Sequence, residues 1–330
     1  MLGMIVIGVV LVGVGLIFAF LVVRSRRAKN PLVRWGGTVV TALPTLVFAL
    51  VGVVDLIGVY RLDAPPSNPP SQVNVSVTEV QLARGQRLAT LCISCHSTTR
   101  NLPLDGGKTS MLSNPDGSGL GTLYAPNLTP AGPLKTWTDG EIIRAIRDGV
   151  DRDGHALLIM PSARFHTMSD DDVQALVAYL RSQPAVDHAT PPRSIGLIGT
   201  LLIGAGLFPT SAQEPTAGPV SAPPAGVNAD HGRYLVDVSG CHECHGPDLA
   251  GGRANGGGPP PGPNLTQIVP KWSEDQFVRT MRTGTDPNGY TLREDLMPWK
   301  EFSAAYSDDE LKAIYVYLHG LKPIASGSNG

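Results

Sequence analysis

"CISCH", Cys92 to His96, and "CHECH", Cys241 to His245, decide how this chain is read, because the two pentapeptides hold all four cysteines of its 330 residues. Two cysteines separated by two residues serve three chemistries: half of a tetrathiolate zinc site, a dithiol redox centre, or covalent attachment of haem c. The histidine behind the second cysteine separates them. In haem attachment the sulfurs form thioethers to the porphyrin vinyl groups, and the turn they impose aims the next side chain at the iron. Neither alternative uses a histidine fixed at that position, and pooling all four thiols around one zinc leaves both histidines unexplained. His242, inside the second motif, is turned outward by the same geometry and reads as a surface histidine.

Haem c iron takes a sixth ligand, and each half offers one. "LLIMPSARFHTMSDDDVQALVAYLRS" follows the first motif and "EDLMPWKEFSAAYSDDELKAIYVYLHG" the second, so that Met160-Pro161 and Met297-Pro298 each precede a helix-opening signal. A thioether there completes His/Met coordination, which raises the reduction potential, and the proline keeps its own segment out of a helix. Methionines also serve as core filler, but the same pair at matching positions in both halves argues for ligation. His155, His166, Met168, Met111 and Met281 have no counterpart in the other half. His166 is the nearest rival in the first.

The agreement runs further. "APNLTP" and "KTWTDGEIIRAIRDGV" in the first half answer to "GPNLTQ" and "PKWSEDQFVRTMRTGT" in the second. Both halves run attachment motif, Asn-Leu-Thr loop, tryptophan, amphipathic helix, Met-Pro, terminal helix, which is an internal duplication. On these motifs the chain resembles the class I c-type cytochromes in a membrane-anchored dihaem form, over Val77 to Pro184 and Asn228 to Pro323. The resemblance implies two covalently bound haem c groups carried by Cys92, Cys95, Cys241 and Cys244. His96 and His245 are then the proximal iron ligands and Met160 and Met297 the distal ones. It also implies that Asn127, Asn264, Trp137 and Trp272 lie near the propionates; a tryptophan just before a helix equally serves as a hydrophobic staple. The first half departs from a minimal cytochrome by the insertion "DGGKTSMLSNPDGSG".

Helix signals predict an all-α build. Ser307 with Glu310 forms a capping-box pattern before "LKAIYVYL", whose apolar positions recur at helical spacing, and Gly320 ends it. Ser169, followed by Asp170 to Asp172, plays the same part before "VQALVAYL". Trp137-Thr138 and Trp272-Ser273 open the preceding helices. No sustained apolar-polar alternation suggests a sheet. Tyr179 and Tyr317 fall at matching places and are expected to pack on the helix before each attachment motif.

Met1 to Val23 is an uncharged apolar run of 23 residues, and Thr38 to Tyr60 is a second, broken only by Pro44 and Asp55. At 1.5 Å per residue each crosses a hydrocarbon core of about 30 Å. The first run lacks the basic start and small-residue cleavage pattern of a signal peptide. Asp55 lies toward the outer end of its run, where a carboxylate is tolerable. Between the runs, "RSRRAKNPLVRW" holds Arg24, Arg26, Arg27, Lys29 and Arg34, and positive loops stay cytoplasmic. Both haem domains are therefore expected on the outer, periplasmic or extracellular, side of a bacterial cytoplasmic membrane, behind two transmembrane helices. "IGLIGTLLIGAGLFP", Ile195 to Pro209, is 15 residues, short for a span, and a full crossing there would put the second motif on the wrong side. It is expected as an interfacial or re-entrant segment, or a helix against the transmembrane pair.

The expected organisation is a two-helix anchor over 1–60, a linker over 61–76, a first cytochrome c domain over 77–190, an apolar segment and linker over 191–227, a second cytochrome c domain over 228–323 and a disordered tail over 324–330. "APPSNPPSQ" and "SAQEPTAGPVSAPPAG" read as semi-extended linkers. "GGRANGGGPPPGP" does not match a phosphate-cradling loop, since no strand precedes it and no Lys-Ser/Thr follows. The anchor carries 5 basic and 1 acidic residues and the remainder 21 and 27, a mildly acidic outer part suited to a partner with a basic docking surface. Topology accounts for the basic cluster, so no nucleic-acid partner is expected; membrane lipid and redox protein donors and acceptors are.

Closed His/Met coordination leaves no iron position for a substrate. The function expected is single-electron transfer between a quinol-oxidising or dehydrogenase complex and an acceptor such as a terminal oxidase, with no catalysis of its own. The chain would act as a free carrier or as the cytochrome subunit of a larger dehydrogenase. The alternatives are dihaem enzymes: a peroxidase needs one iron that opens, and a thiosulfate dehydrogenase needs a cysteine ligand, of which none is spare. A haem-based gas sensor needs an output domain, and the chain has no candidate for one.

Overall fold

The computed structural model describes residues 2–64, 67–112, 119–252 and 261–326. Parts of the first linker, of the first-half insertion, of the glycine-rich loop after the second motif and of the tail lie outside them.

Helices α1 (Leu2–Arg26) and α2 (Pro31–Asp63) form an antiparallel hairpin. Its turn is set by Asn30, whose side chain accepts from the Leu32 amide at 2.9 Å, and by Pro31 in the first turn of the helix. Small residues let the two backbones close. A Cβ at Gly15 would lie 3.1 Å from the Ala49 nitrogen. Both helices are long and apolar enough to cross a membrane, and their outward side chains, such as Leu16, Phe20, Leu43 and Leu46, are bare. Such bare apolar side chains along a helical hairpin suit a membrane anchor.

In the first domain α3 (Glu79–Ala89) leads into the attachment motif, followed by α4 (Asp139–Asp148) and α5 (Asp170–Ser182). After α6 (Leu197–Gly204), the second domain repeats the order with α7 (Ala229–Ser239), α8 (Glu274–Thr283) and α9 (Asp308–His319). The expected caps are present. Thr138 with Glu141, Ser273 with Gln276 and Ser307 with Glu310 close capping boxes, and Ser169 accepts from the Asp172 amide. The described strand structure is a two-residue pairing of β1 (Gly121–Thr122) with β2 (Ser194–Ile195), so the fold is all-α as expected.

The same crossing holds each domain together. α3 packs on α5 at Gly85, where a Cβ would overlap the carbonyl of Ala175 and stand 2.9 Å from the Cβ of Tyr179. α7 packs on α9 at Gly232, where a Cβ would overlap the carbonyl of Ala313 and stand 3.0 Å from the Cβ of Tyr317. Glycine is required at both because backbone meets backbone there. The two tyrosines pack on the helices preceding the attachment motifs, as expected.

Two features go beyond the sequence reading. The domains share one continuous apolar core, running from Leu88 and Phe165 in the first to Tyr234, Tyr306 and Leu318 in the second. In addition, α6 lies along the end of α2: a Cβ at Gly58 would overlap the Thr200 carbonyl, and Arg61 donates to the Ile203 carbonyl at 2.7 Å. Among the three placements expected for Ile195 to Pro209, contact with the N-terminal helical pair, at α2, is the one seen. Asp55 is covered by this contact rather than left at an interface; it is fully buried and accepts from the Thr200 hydroxyl. The tail is held for its first residues, since the Ile324 amide donates to Thr266 at 3.0 Å and its carbonyl accepts from Asn264 at 2.8 Å.

Candidate functional site

The attachment motifs form short helical turns, Ile93–His96 and Cys241–His245, directly after α3 and α7. In each, the histidine ring is buried and its Nδ1 meets the carbonyl of the proline before the Asn-Leu-Thr loop: His96 to Pro126 at 2.9 Å and His245 to Pro263 at 2.7 Å. A carbonyl only accepts, so Nδ1 carries the proton and Nε2 keeps its lone pair. Burial lowers the pKa of both rings, against the raising effect of the proline carbonyls. A neutral imidazole with a fixed tautomer is the form that ligates a metal. Beneath His245 the fit is close enough that a Cβ at Gly262 would come within 2.6 Å of Nδ1. Burial also pushes the Cys92 and Cys241 thiols up to about 12. They sit protonated, packed against the apolar core.

In the first half these groups open onto an apolar cavity of about 180 Å³. Cys92, Cys95 and His96 lie on its wall with Met160, Trp137 and Arg164. The donor set, the neutral histidine and the apolar lining fit a covalently held haem. Met111 also lines this cavity, so the insertion adds a second thioether. The other spare groups point elsewhere. His166 lies 3.2 Å from Asp148, His155 lies 3.5 Å from Asp151, and Met168 is in the core.

In the second half Cys241 and Trp272 pack against the core, and Met297 is half-buried. Its turn copies that of Met160. Ser162 and Trp299 donate to the carbonyls of Met160 and Met297 at 2.8 and 2.7 Å, and Pro161 and Pro298 have ψ of 54° and 59°. The turns before them match as well: Leu157 donates to Gly149 and Leu292 to Gly284, both at 2.7 Å.

Asn127 and Asn264 spend their amides on the protein. Asn127 donates to the Val186 and His188 carbonyls at 2.8 and 3.0 Å, and Asn264 to the Ile324 carbonyl and the Ser326 hydroxyl at 2.8 and 3.1 Å. Each ties the loop carrying the histidine-holding proline to the chain beyond the terminal helix. That proline was missed in the sequence, although a Pro-Asn pair stands in both copies of the loop. His242 is held by Asp237 at 2.9 Å, which raises its pKa and keeps it clear of the site.

The sites adjoin across a pseudo-twofold interface. Arg87 reaches Glu310 at 2.8 Å where, in the matching place, the Tyr234 hydroxyl reaches Asp172 at 2.6 Å. Arg84 binds both carboxylates. Closer to the motifs, the Thr90 hydroxyl donates to the Glu301 carbonyl at 3.0 Å, and Arg164 donates to the Ser239 carbonyl at 3.1 Å. Thr90 and Ser239 are equivalent, each two residues before a first cysteine, and Glu301 and Arg164 are equivalent, each four residues after a Met-Pro methionine.

An all-α chain with duplicated Cys-x-x-Cys-His turns, neutral buried histidines and an apolar cavity beside one of them is built to hold haem c covalently and to transfer electrons. Residues 82–184 match the cytochrome c family and residues 227–318 match the family of cytochrome c oxidase, cbb3-type, subunit III. Over 101 residues the chain is 34% identical to cytochrome c-554(548) of Halomonas halodenitrificans, covering 94% of that protein and 31% of this one. The chain belongs to the c-type cytochromes. Over most of its length it is similar to two larger proteins. It is 28% identical over 280 residues to a nicotinate dehydrogenase subunit of Pseudomonas putida, covering 80% of this chain and 23% of that one. It is 27% identical over 283 residues to the cytochrome c subunit of the quinone alcohol dehydrogenase of Gluconobacter oxydans, covering 76% and 57%. The chain thus spans little more than half the length of the second and about a quarter of the first.

Proposed function

We propose that this protein binds two haem c groups, one per half, and carries single electrons through them as the membrane-bound cytochrome subunit of a dehydrogenase complex. The observation that carries the reading is the repeated geometry of the proximal turn: a buried histidine fixed through Nδ1 by a proline carbonyl, 2.9 Å away in one half and 2.7 Å in the other. Cys92 and Cys95 hold the first group with His96 and Met160 as ligands; Cys241 and Cys244 hold the second with His245 and Met297. Trp137 is a further cofactor contact, and Trp272 its counterpart, while Asn127 and Asn264 position the loops. When bound, haem c supplies a one-electron ferric/ferrous couple, and the polypeptide sets its potential and its docking. The anchor spans the membrane twice, with its arginine-rich turn in the cytoplasm and both domains outside. The names of the larger relatives favour a dehydrogenase partner that delivers electrons to the chain, and an acceptor receives them from it.

The test is the haem count of the purified full-length protein by pyridine haemochrome and intact mass. Two groups per chain are expected, falling to one in Cys92→Ser/Cys95→Ser and in Cys241→Ser/Cys244→Ser. A wild-type chain with one group or none would refute the two-site reading.

A further inference from the structure

Arg164 stands where the two halves meet, and neither the attachment chemistry nor the axial ligands account for it. It lies in the short turn Ser162–Phe165 after Met160-Pro161. Its guanidinium lies 4.7 Å from the centre of the Phe165 ring, and its side chain is 19% exposed. One end belongs to the first site, since the residue lines the cavity with Cys92 and Cys95. The other end crosses the interface: Nη1 donates to the carbonyl of Ser239 at 3.1 Å. A Cβ on Gly240, the residue before Cys241, would come within 2.6 Å of that same nitrogen. The nearest anion is the half-exposed Glu243, at 3.8 Å, inside the second motif. Nε is buried with no hydrogen-bond partner.

A cation held this way stands beside both motifs, lining the cavity with Cys92 and Cys95 and reaching Ser239 and Glu243 on either side of Cys241. Burial raises the thiols of Cys92 and Cys241, and in both the Arg164 charge is the first influence opposing that rise. A positive charge beside a redox centre disfavours the oxidised, more positive state. At an effective dielectric of about 20, a unit charge about 10 Å away changes an equilibrium on the order of tenfold.

We propose that Arg164 is a cation shared by the two haem sites, raising the reduction potential of both together. It is a positioning residue for the known electron transfer: it moves no electron, and it fixes the level at which each site accepts one. The proposal rests on the two-haem reading above, so haem is counted before any potential is measured.

The experiment compares full-length, detergent-solubilised wild type with Arg164→Met and Arg164→Lys by spectroelectrochemical titration, with Glu243→Gln as the control for the neighbouring anion. In Arg164→Met both midpoints fall, each by about tenfold in the reduction equilibrium, or about 59 mV for one electron. Arg164→Lys restores most of the loss. Glu243→Gln raises the second midpoint by less than threefold and leaves the first in place. If the Met variant loads poorly, Arg164→Gln, which keeps a donor for the Ser239 carbonyl, is read in its place. Midpoints that stay put, or a fall confined to the first site, would overturn the shared-cation role while two haems per chain still stand. Equal falls in Arg164→Met and Arg164→Lys would also overturn it, since charge would then not be the cause. A wild type with fewer than two haems defeats the two-site reading instead.

Discussion

Four residues past its Met-Pro methionine, the first half places an arginine and the second a glutamate. The turns around them are built alike, with ψ of 54° at Pro161 and 59° at Pro298. The turn hydrogen bonds at Met160 and Met297 differ by a tenth of an ångström, and those from the Leu157 and Leu292 amides to Gly149 and Gly284 do not differ. Arg164 donates to the Ser239 carbonyl and the Glu301 carbonyl accepts from the Thr90 hydroxyl, so each residue meets the other half two positions before its first cysteine. The proximal and Met-Pro turns are kept alike in the two halves, and the surface where the halves meet carries the opposite charges.

The interface itself is the sharpest place to break the comparison. Arg84 binds Asp172 in its own domain and Glu310 in the other, and His231 occupies the matching position on α7. Burial favours the neutral form of Asp172, but the Arg84 hydrogen bond and charge outweigh it and hold that carboxyl below its ordinary range; Glu310 is held down likewise by Arg84, Ser307 and Arg87. Arg84→Met removes the one cation the two carboxylates share, leaving Asp172 to the Tyr234 hydroxyl and Glu310 to Arg87. The expected cost is about 3–5 kcal/mol, read by thermal or denaturant unfolding. His231→Leu should cost clearly less, and equal losses would mean that the pseudo-symmetry runs deeper than the chemistry.

A comparison of methionines comes next. Met160→Ala and Met297→Ala should each lower the potential of their own site by more than tenfold, about 59 mV, and leave the other nearly unmoved. Met111→Ala, on the same cavity as Met160, should change neither by as much. If Met111→Ala lowers the first potential and Met160→Ala does not, the insertion supplies the ligand and the two halves differ at the iron.

Tyr234→Phe and Arg87→Ala remove equivalent contacts. The Tyr234 hydroxyl is buried between Ser169 and Asp172, and its loss should cost about 1 kcal/mol. Arg87 is 39% exposed, so its ion pair is screened and should cost less. Unfolding midpoints of the two variants in the same buffer check the order.

Much of this was legible in the chain. The attachment motifs, the Met-Pro pairs, the caps at Thr138, Ser273 and Ser307 and the anchor are all local signals of a few residues, and local signals survive in a single sequence. The crossing at Gly85 and Gly232 was half legible: Tyr179 and Tyr317 pointed to it, the glycines did not. The reach of Arg164, the covering of Asp55 by Thr200 and the pairing of Arg84 with Glu310 depend on residues 75, 145 and 226 positions apart. No pattern within either segment records such a pair. The place of Asn127 and Asn264 beside the cofactor was read from resemblance; what no local signal recorded is that their amides also meet the segment returning after each terminal helix, at the Val186, His188 and Ile324 carbonyls and the Ser326 hydroxyl.

Glu301 gives the most specific effect, because it depends on pH. Burial, reinforced by Glu294, pushes its carboxyl up to about 7, against the opposing influence of Arg100, Arg164 and Ser94. The folded state therefore binds this proton more tightly than the unfolded chain, whose carboxyl titrates near 4.5. The resulting stability is fully present below about 4.5 and is lost as pH rises through about 7. Glu301→Gln should thus gain on wild type between pH 5 and 8 and not at pH 4, read as the difference in melting temperature across that range. The same ionisation adds negative charge beside the first attachment motif, where the Cys92 thiol already feels it. The first midpoint should fall as pH rises through 7, by less than tenfold because the carboxylate is partly in water. The second midpoint should stay comparatively flat, and Glu301→Gln should flatten the first. A pH slope that belongs to the second site, or that survives in the Gln variant, would mean that the charge of each half acts on its own iron and that the crossed arrangement of Arg164 and Glu301 has no bearing on potential.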